Sequence, residues 1–212
     1  MDTFDHPIFT ESMRLIREQL GDTGLDPLQQ QVLERLIHSS GDFGLTPLLR
    51  FSSRAPQVGL RALQAGAPIL TDTAMAAAAV QPMSRRTLNA SVHCMLDWAP
   101  DQAPKGSTRT AAGLQAAWQE LGSQALGQQQ APIVLIGSAP TALEALLKLV
   151  TSGALAPSLI IGMPVGFVGV VESKRKLASS GLAQIRLEGS RGGAGLVAAA
   201  MNALFRAAYL SK

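Results

Sequence analysis

Two kinds of side chain in this sequence could move a proton or hold an anion, and they lie close together in the stretch ERLIHSSGDFG at 34–44. His38 is one of only three histidines in the chain, so proton transfer near neutral pH has few candidates. Arg35 precedes it by three residues, which on a helix makes the two surface neighbours. In a last helical turn His38 feels the negative end of the macrodipole, which favours its protonated form, while Arg35 opposes that form. A polycarboxylate ligand beside both would cancel the arginine charge and restore a proton-donating imidazolium. On periodicity alone, a plain solvent-facing pair remains an equal reading.

A second anion feature is KGSTRTAAG at 105–113, where Ser107 or Thr108 can cap a helix whose first turn holds Arg109. A cation there opposes the helix dipole, so either an external anion explains it or the arginine is exposed at a cost of some tenths of a kcal/mol. The turn GSRGGAG at 189–195 lets backbone amides approach a ligand, but it matches neither G-x-G-x-x-G nor G-x-x-x-x-G-K-[ST]. A nucleotide is therefore disfavoured, and close backbone approach to another ligand is expected. His6, near the start, and His93, inside a strand pattern, read as surface or satisfied core residues.

These groups need a scaffold, and the hydrophobic pattern supplies one. Asp26 as N-cap, Pro27 at the first helical position and Gly41 as the stop predict a helix carrying Leu28, Val32, Leu33, Leu36 and Ile37 on its apolar arc. A shorter helix, TESMRLIREQL, precedes it. From residue 67 onward, short apolar runs (APILTDT, SVHCML, PIVLIGS, SLIIGMP and AQIRLEG) alternate with helical patterns at 110–126, 140–152, 168–179 and 193–209. This predicts an α/β fold, a three-layer α/β/α domain with a mainly parallel sheet of about five strands. Crossover rules then place the Gly-containing turns near 137, 162 and 189 at the carboxyl edge of the sheet, as parts of one pocket floor.

Composition narrows the function classes. The chain of 212 residues, 47% hydrophobic, is long enough for one core, and a single domain over 1–212 is expected. The net charge of +3 is spread over scattered basic residues, and nine aromatics offer little stacking surface, so nucleic acid is not an expected partner. A mild positive balance suits a small polyanion. The opening MDTFDHP lacks the basic start and apolar run of a secretory signal, and the Ala-rich stretch from Ala194 falls short of a membrane span, so a cytoplasmic protein with no membrane partner is expected. The lone Cys94 rules out an internal disulfide and a cysteine-rich zinc site, and reads as a small buried hydrophobe.

The motifs HPIFTESMRLIREQL, ERLIHSSGDF, AGAPILTDTAMA, STRTAA, IVLIGSAPTALEALL, LIIGMPVGFVGVVESK and GSRGGAGLVAAAMNAL, in this order over nearly the whole chain, resemble the precorrin-8X methylmutase family of cobalamin biosynthesis. That resemblance implies an isomerase moving a methyl group from carbon 11 to carbon 12 of precorrin-8x to give hydrogenobyrinic acid, without redox change, cofactor or bound metal. It also implies His38 as the proton donor and acceptor, and Ser12, Arg35 and Arg109 as substrate-binding residues, with Asp42, Thr71 and Thr73 in matching segments. A homodimer is implied too. Phe9 stands where a tyrosine is usual, Thr110 where a serine is and Ser138 where an asparagine is, which removes two polar contacts but neither the acid nor the arginines. A corrinoid-binding carrier without catalysis is the alternative, and a nucleotide-dependent α/β enzyme a third.

Overall fold

The computed structural model describes residues 4–126 and 130–211, so the first three residues of the opening stretch lie outside it. Among the described residues it has eight α-helices and six strands. The helices are α1 (Pro7–Leu20), α2 (Pro27–Ser40), α3 (Ala55–Gln64), α4 (Ala74–Arg86), α5 (Arg109–Leu126), α6 (Pro140–Thr151), α7 (Val170–Ala178) and α8 (Ala194–Leu210). The strands are β1 (Leu49–Phe51), β2 (Ile69–Thr71), β3 (Val92–Cys94), β4 (Ile133–Ile136), β5 (Leu159–Gly162) and β6 (Gln184–Leu187). They form one sheet in the order β1-β6-β5-β4-β2-β3, parallel except for β1, which pairs antiparallel to β6.

The layers follow from strand alternation. Ile69, Ile133, Leu135, Leu159 and Ile161 pack under α1, α2, α3, α4 and α8, whereas Leu70, Val134, Ile136 and Ile160 pack under α5, α6 and α7. Each strand in the middle of the sheet is thus apolar on both faces, as a doubly covered parallel sheet requires. The helix joining β2 to β3 lies on one face, and the helices α5, α6 and α7, which lead to β4, β5 and β6, lie on the other. Growth of the sheet therefore reverses direction between β2 and β4. That is where open α/β sheets form their ligand crevice.

Local signals act as expected in α2. Asp26 accepts from the amides of Leu28 and Gln29 at 2.9 Å, Gln29 closes the capping box, and Gly41 ends the helix in the left-handed region at φ 67°. Helix α8 is the buried Ala-rich element anticipated from its composition, with Ala198 to Leu204 almost wholly inside apart from Asn202. Cys94 is buried. The sheet has one strand more than expected, because the three residues of β1 are too few to show a period. Helices α3 and α4 were not anticipated either: α4 contains Pro82, and its AMAAAAV run has little amphipathic contrast.

Candidate active site at the end of helix α2

Helices α1 and α2 pack side by side, and this brings Ser12 to His38. The Ser12 hydroxyl lies 2.7 Å from His38 Nδ1. Phe9, one turn earlier on α1, meets the imidazole edge to face, with ring centroids 5.3 Å apart and planes at 82°. The Arg35 guanidinium sits 4.8 Å from the centroid of the same Phe9 ring. Phe9 therefore touches both the imidazole and the guanidinium, and a phenol hydroxyl is not needed for either contact.

Partial burial pushes the His38 pKa down, and the nearby Arg35 charge adds to the shift. The free protein therefore holds His38 toward its neutral form, although the ring keeps an exposed edge. Arg35 Nε is buried and has no hydrogen-bond partner among the described residues. Burial and the neighbouring Arg206 lower the Arg35 pKa, against a raising effect from Asp5. An uncompensated buried donor is costly. Arg35 thus keeps unused hydrogen-bonding capacity one turn before His38.

A cavity of about 490 Å³ opens beside this cluster between α1, α2 and α8, lined among others by Phe9, Arg35, Asn202 and Arg206. Arg206 donates through Nε to both Asp5 oxygens at 3.0 Å. Across the rim, Arg17 makes a bidentate pair with the buried Glu34, both bonds 2.8 Å. Asn202 Oδ1 is a second buried polar atom there without a partner among the described residues.

The three Gly-containing turns do share the carboxyl edge of the sheet, but they interlock with one another and do not line this cavity. Gly193 N donates to Met163 O at 2.9 Å, Val165 N to Gly137 O at 3.1 Å and Gly166 N to Ser190 O at 3.1 Å. A Cβ on Gly192 would stand 1.9 Å from the Met163 carbonyl oxygen. The glycine there serves turn-on-turn packing, not backbone approach to a ligand.

The other expected residues divide. Arg109 opens α5, on the opposite layer from α2, is exposed, and donates through Nε to Pro100 O at 2.8 Å. Thr108, not Ser107, caps that helix by accepting from Ala111 N, and its hydroxyl also meets that of Thr141 at 2.8 Å. Asp42 forms an ion pair with Arg191 at 2.8 Å and accepts from Gly44 N, so its charge is paired with an arginine. Thr71 is fully buried, its hydroxyl within reach of the carbonyls of Thr73 and His93. Thr73 caps α4 through Ala76 N. Both threonines build the scaffold in this geometry. His6 caps α1, and His93 packs edge-on against Trp98. Among the described residues, no group of three His, Cys, Asp or Glu is arranged to hold a metal ion.

Sequence reasoning missed Asp72. Fully buried between β2 and α4, it accepts through one oxygen from the amides of Gly137, Ser138 and Ala139 at 2.9, 2.6 and 2.9 Å. Burial pushes its pKa up, and those amides pull the other way. The carboxylate thus fills, from within, the amide nest at the switch point where a doubly wound fold would cradle a phosphate. The signal was present as a lone acid at the carboxyl end of an apolar strand, in LTDT.

The precorrin-8X methylmutase family model matches residues 7–207. A precorrin-8X methylmutase of Pseudomonas aeruginosa is 40% identical, with 93% of each chain covered. A cobalt-precorrin-8 methylmutase of Synechocystis is 34% identical, with 99% of each covered. The crystal structure of a precorrin-8x methyl mutase from Thermus thermophilus superposes with a TM-score of 0.84 at 38% identity, covering 96% of both chains.

Proposed function

The chain belongs to the precorrin-8X methylmutase family, and on that premise we propose that it isomerises a precorrin-8 macrocycle with His38 as the group that lends and recovers the proton. The methyl group leaves carbon 11 and bonds to carbon 12, electrons redistribute within the conjugated ring, and composition is unchanged. No oxidant or reductant is consumed.

The observation that carries this reading is the Ser12 to His38 contact beside a buried, unpaired Arg35 Nε. A hydroxyl can donate to a neutral Nδ1 or accept from a protonated one, so Ser12 holds the ring in either charge state. Nε2 is then the nitrogen free to face the substrate. Burial is the larger cause of the depressed His38 pKa and the Arg35 charge the smaller; a carboxylate arm reaching Arg35 cancels the second and so favours the protonated ring. Protonation of the macrocycle withdraws electron density from the migrating centre, and fixed orientation supplies the rest.

Arg35 grips one carboxylate arm bidentately and Arg109, across the same sheet edge, is assigned to another. Asp42 contributes by holding Arg191. The reading further takes residues 1–212 as one domain, acting as a homodimer in the cytoplasm. Phe167 and Val168, 93% and 89% exposed on the loop after β5, offer apolar surface for a second copy to cover. None of the described helices is long and apolar enough to cross a membrane.

The carrier alternative predicts the same grip without turnover. Single-turnover conversion of precorrin-8x, followed by ring absorbance, separates the two, because a carrier leaves the substrate spectrum unrearranged. In His38→Asn the rate should fall by roughly 10²- to 10⁴-fold, the usual worth of a placed acid. Product affinity should stay within about tenfold of wild type, since the arginines remain. A wild-type rate in that variant would remove His38 from the chemistry.

A further inference from the structure

One buried charge has no part in the mechanism above. Lys174, on α7, is only 3% exposed, and among the described residues no carboxylate is bonded to it. Its ammonium donates to two backbone carbonyls, Gly189 O and Arg191 O, each at 2.7 Å. Both belong to the turn between β6 and α8. That turn reaches two ways: its Gly193 amide and Ser190 carbonyl bond to the Met163 and Gly166 backbone, and the Arg191 side chain pairs with Asp42. Asp42 in turn sits two residues beyond the end of α2, where its amide donates to Ser40 Oγ at 3.2 Å. Burying a lone ammonium is unfavourable unless its donors are used. Here two of the three are used to fasten one turn that braces the end of the helix carrying His38.

We propose that Lys174 is a positioning residue for the rearrangement, holding the 189–193 turn so that the Arg191 to Asp42 pair fixes the end of α2 and with it His38. The proposal rests on the reading of His38 as the acid. Lys174 touches neither substrate nor His38, and it acts through the turn. Burial pulls its pKa down to about 8, so the clamp weakens at mildly alkaline pH, where a charged donor becomes a neutral one of roughly half the hydrogen-bond strength. Glu144 of α6 is engaged with Lys176, Glu188 after β6 with Arg50 and Arg186, and Arg191 with Asp42.

The test uses the full chain and the near-isosteric Lys174→Met. Amide exchange of Gly166 and Gly193, which bond into and out of the turn, is compared with that of Ile160, which bonds to Ala183 in the sheet. Single-turnover rate at saturating precorrin-8x and affinity for hydrogenobyrinic acid are measured on the same protein. The expected result is faster exchange at Gly166 and Gly193 with Ile160 unchanged, a rate lowered about ten- to a hundredfold, the scale of a small misplacement of a catalytic group, and product affinity within about threefold. A wild-type rate, or exchange at the two glycines no faster than in wild type, overturns the proposal. If Lys174→Met does not fold, wild-type protein between pH 7 and 9.5 decides. Exchange at Gly166 and Gly193 relative to Ile160 should then rise with a midpoint near 8, and a flat ratio overturns it. A wild-type protein that binds product but never rearranges substrate sinks the enzymatic reading alone, and the exchange ratio still shows whether Lys174 holds the turn.

Discussion

Replacing Arg35 by glutamine should weaken binding and raise the protonated fraction of His38 at the same time, which few single substitutions do. Arg35 lines the cavity, leaves its buried Nε unpaired among the described residues and stacks on Phe9. Loss of a charge-assisted hydrogen bond typically costs about 1.5–3 kcal/mol. The lower half of that range applies, because removing Arg35 also relieves its repulsion of Arg206. Some 1.5–2 kcal/mol corresponds to roughly a 10- to 30-fold rise in the product dissociation constant. The second effect has the opposite sign. Burial and Arg35 both depress the His38 pKa, burial the more strongly, and the variant removes only the arginine. The His38 pKa of the free protein should therefore move up toward 6.5, and with it the descending limb of kcat/KM, since the active free form is protonated. Stability shifts consistently. A depressed histidine contributes stability that is present above 6.5 and lost as pH falls through the folded value, so Arg35→Gln should unfold less readily in mild acid than that balance dictates for wild type. The assays are product titration by absorbance, the kcat/KM profile from pH 5 to 8, and the imidazole resonances of His38. Unchanged product affinity, or a His38 titration that stays in place or moves down, would refute the coupling of grip to acid.

Ser12→Ala removes one neutral hydrogen bond to an exposed ring, worth about 1 kcal/mol, so the single-turnover rate should fall about fivefold with product affinity unchanged. Arg17→Ala strips two charged bonds from Glu34, whose side chain is 2% exposed, and leaves only Gln30 Nε2 at 3.0 Å. Breaking a buried pair costs about 3–5 kcal/mol, but Arg17 itself is largely in solvent, so roughly 2–3 kcal/mol is expected in urea unfolding, and Glu34→Gln in the same background should recover part of it. Gly192→Ala forces a Cβ against the Met163 carbonyl, at 1.9 Å where ordinary contact needs more than 3 Å. Overpacking of about 1–3 kcal/mol lowers the melting temperature by roughly 2–12 °C in a chain this size, and a melting curve matching wild type would mean the turns are not locked together as described.

The sequence exposed most of the fold because its elements carry local physical signals. Asp26, Pro27 and Gly41 mark both ends of α2 by capping chemistry alone, and the central strands are continuous apolar runs because both faces are covered. What stayed hidden had no local signal. The strand at Leu49–Phe51 gains its identity only by pairing with β6, and Pro82 within α4 argues against the helix that tertiary packing nonetheless keeps.

The site divides along the same line. His38 and Arg35 were legible as a pair because i,i+3 spacing on one helix is a local fact. Their surroundings were not, since Asp5 and Arg206 lie 201 positions apart, Ser12 and His38 lie 26 apart, and Asp42 finds Arg191 only after the sheet has formed. Asp42 shows what this costs in interpretation: a carboxylate in a matching segment reads as a ligand contact, but beside a polyanion it would repel, and in the fold it is bonded to an arginine. Long-range charge pairs of this kind decide which arginines are free. Arg191 and Arg206 are each held by an aspartate, whereas the buried Nε of Arg35 has no partner among the described residues, so on the function proposed above it is the arginine beside His38 that a bound carboxylate would neutralise.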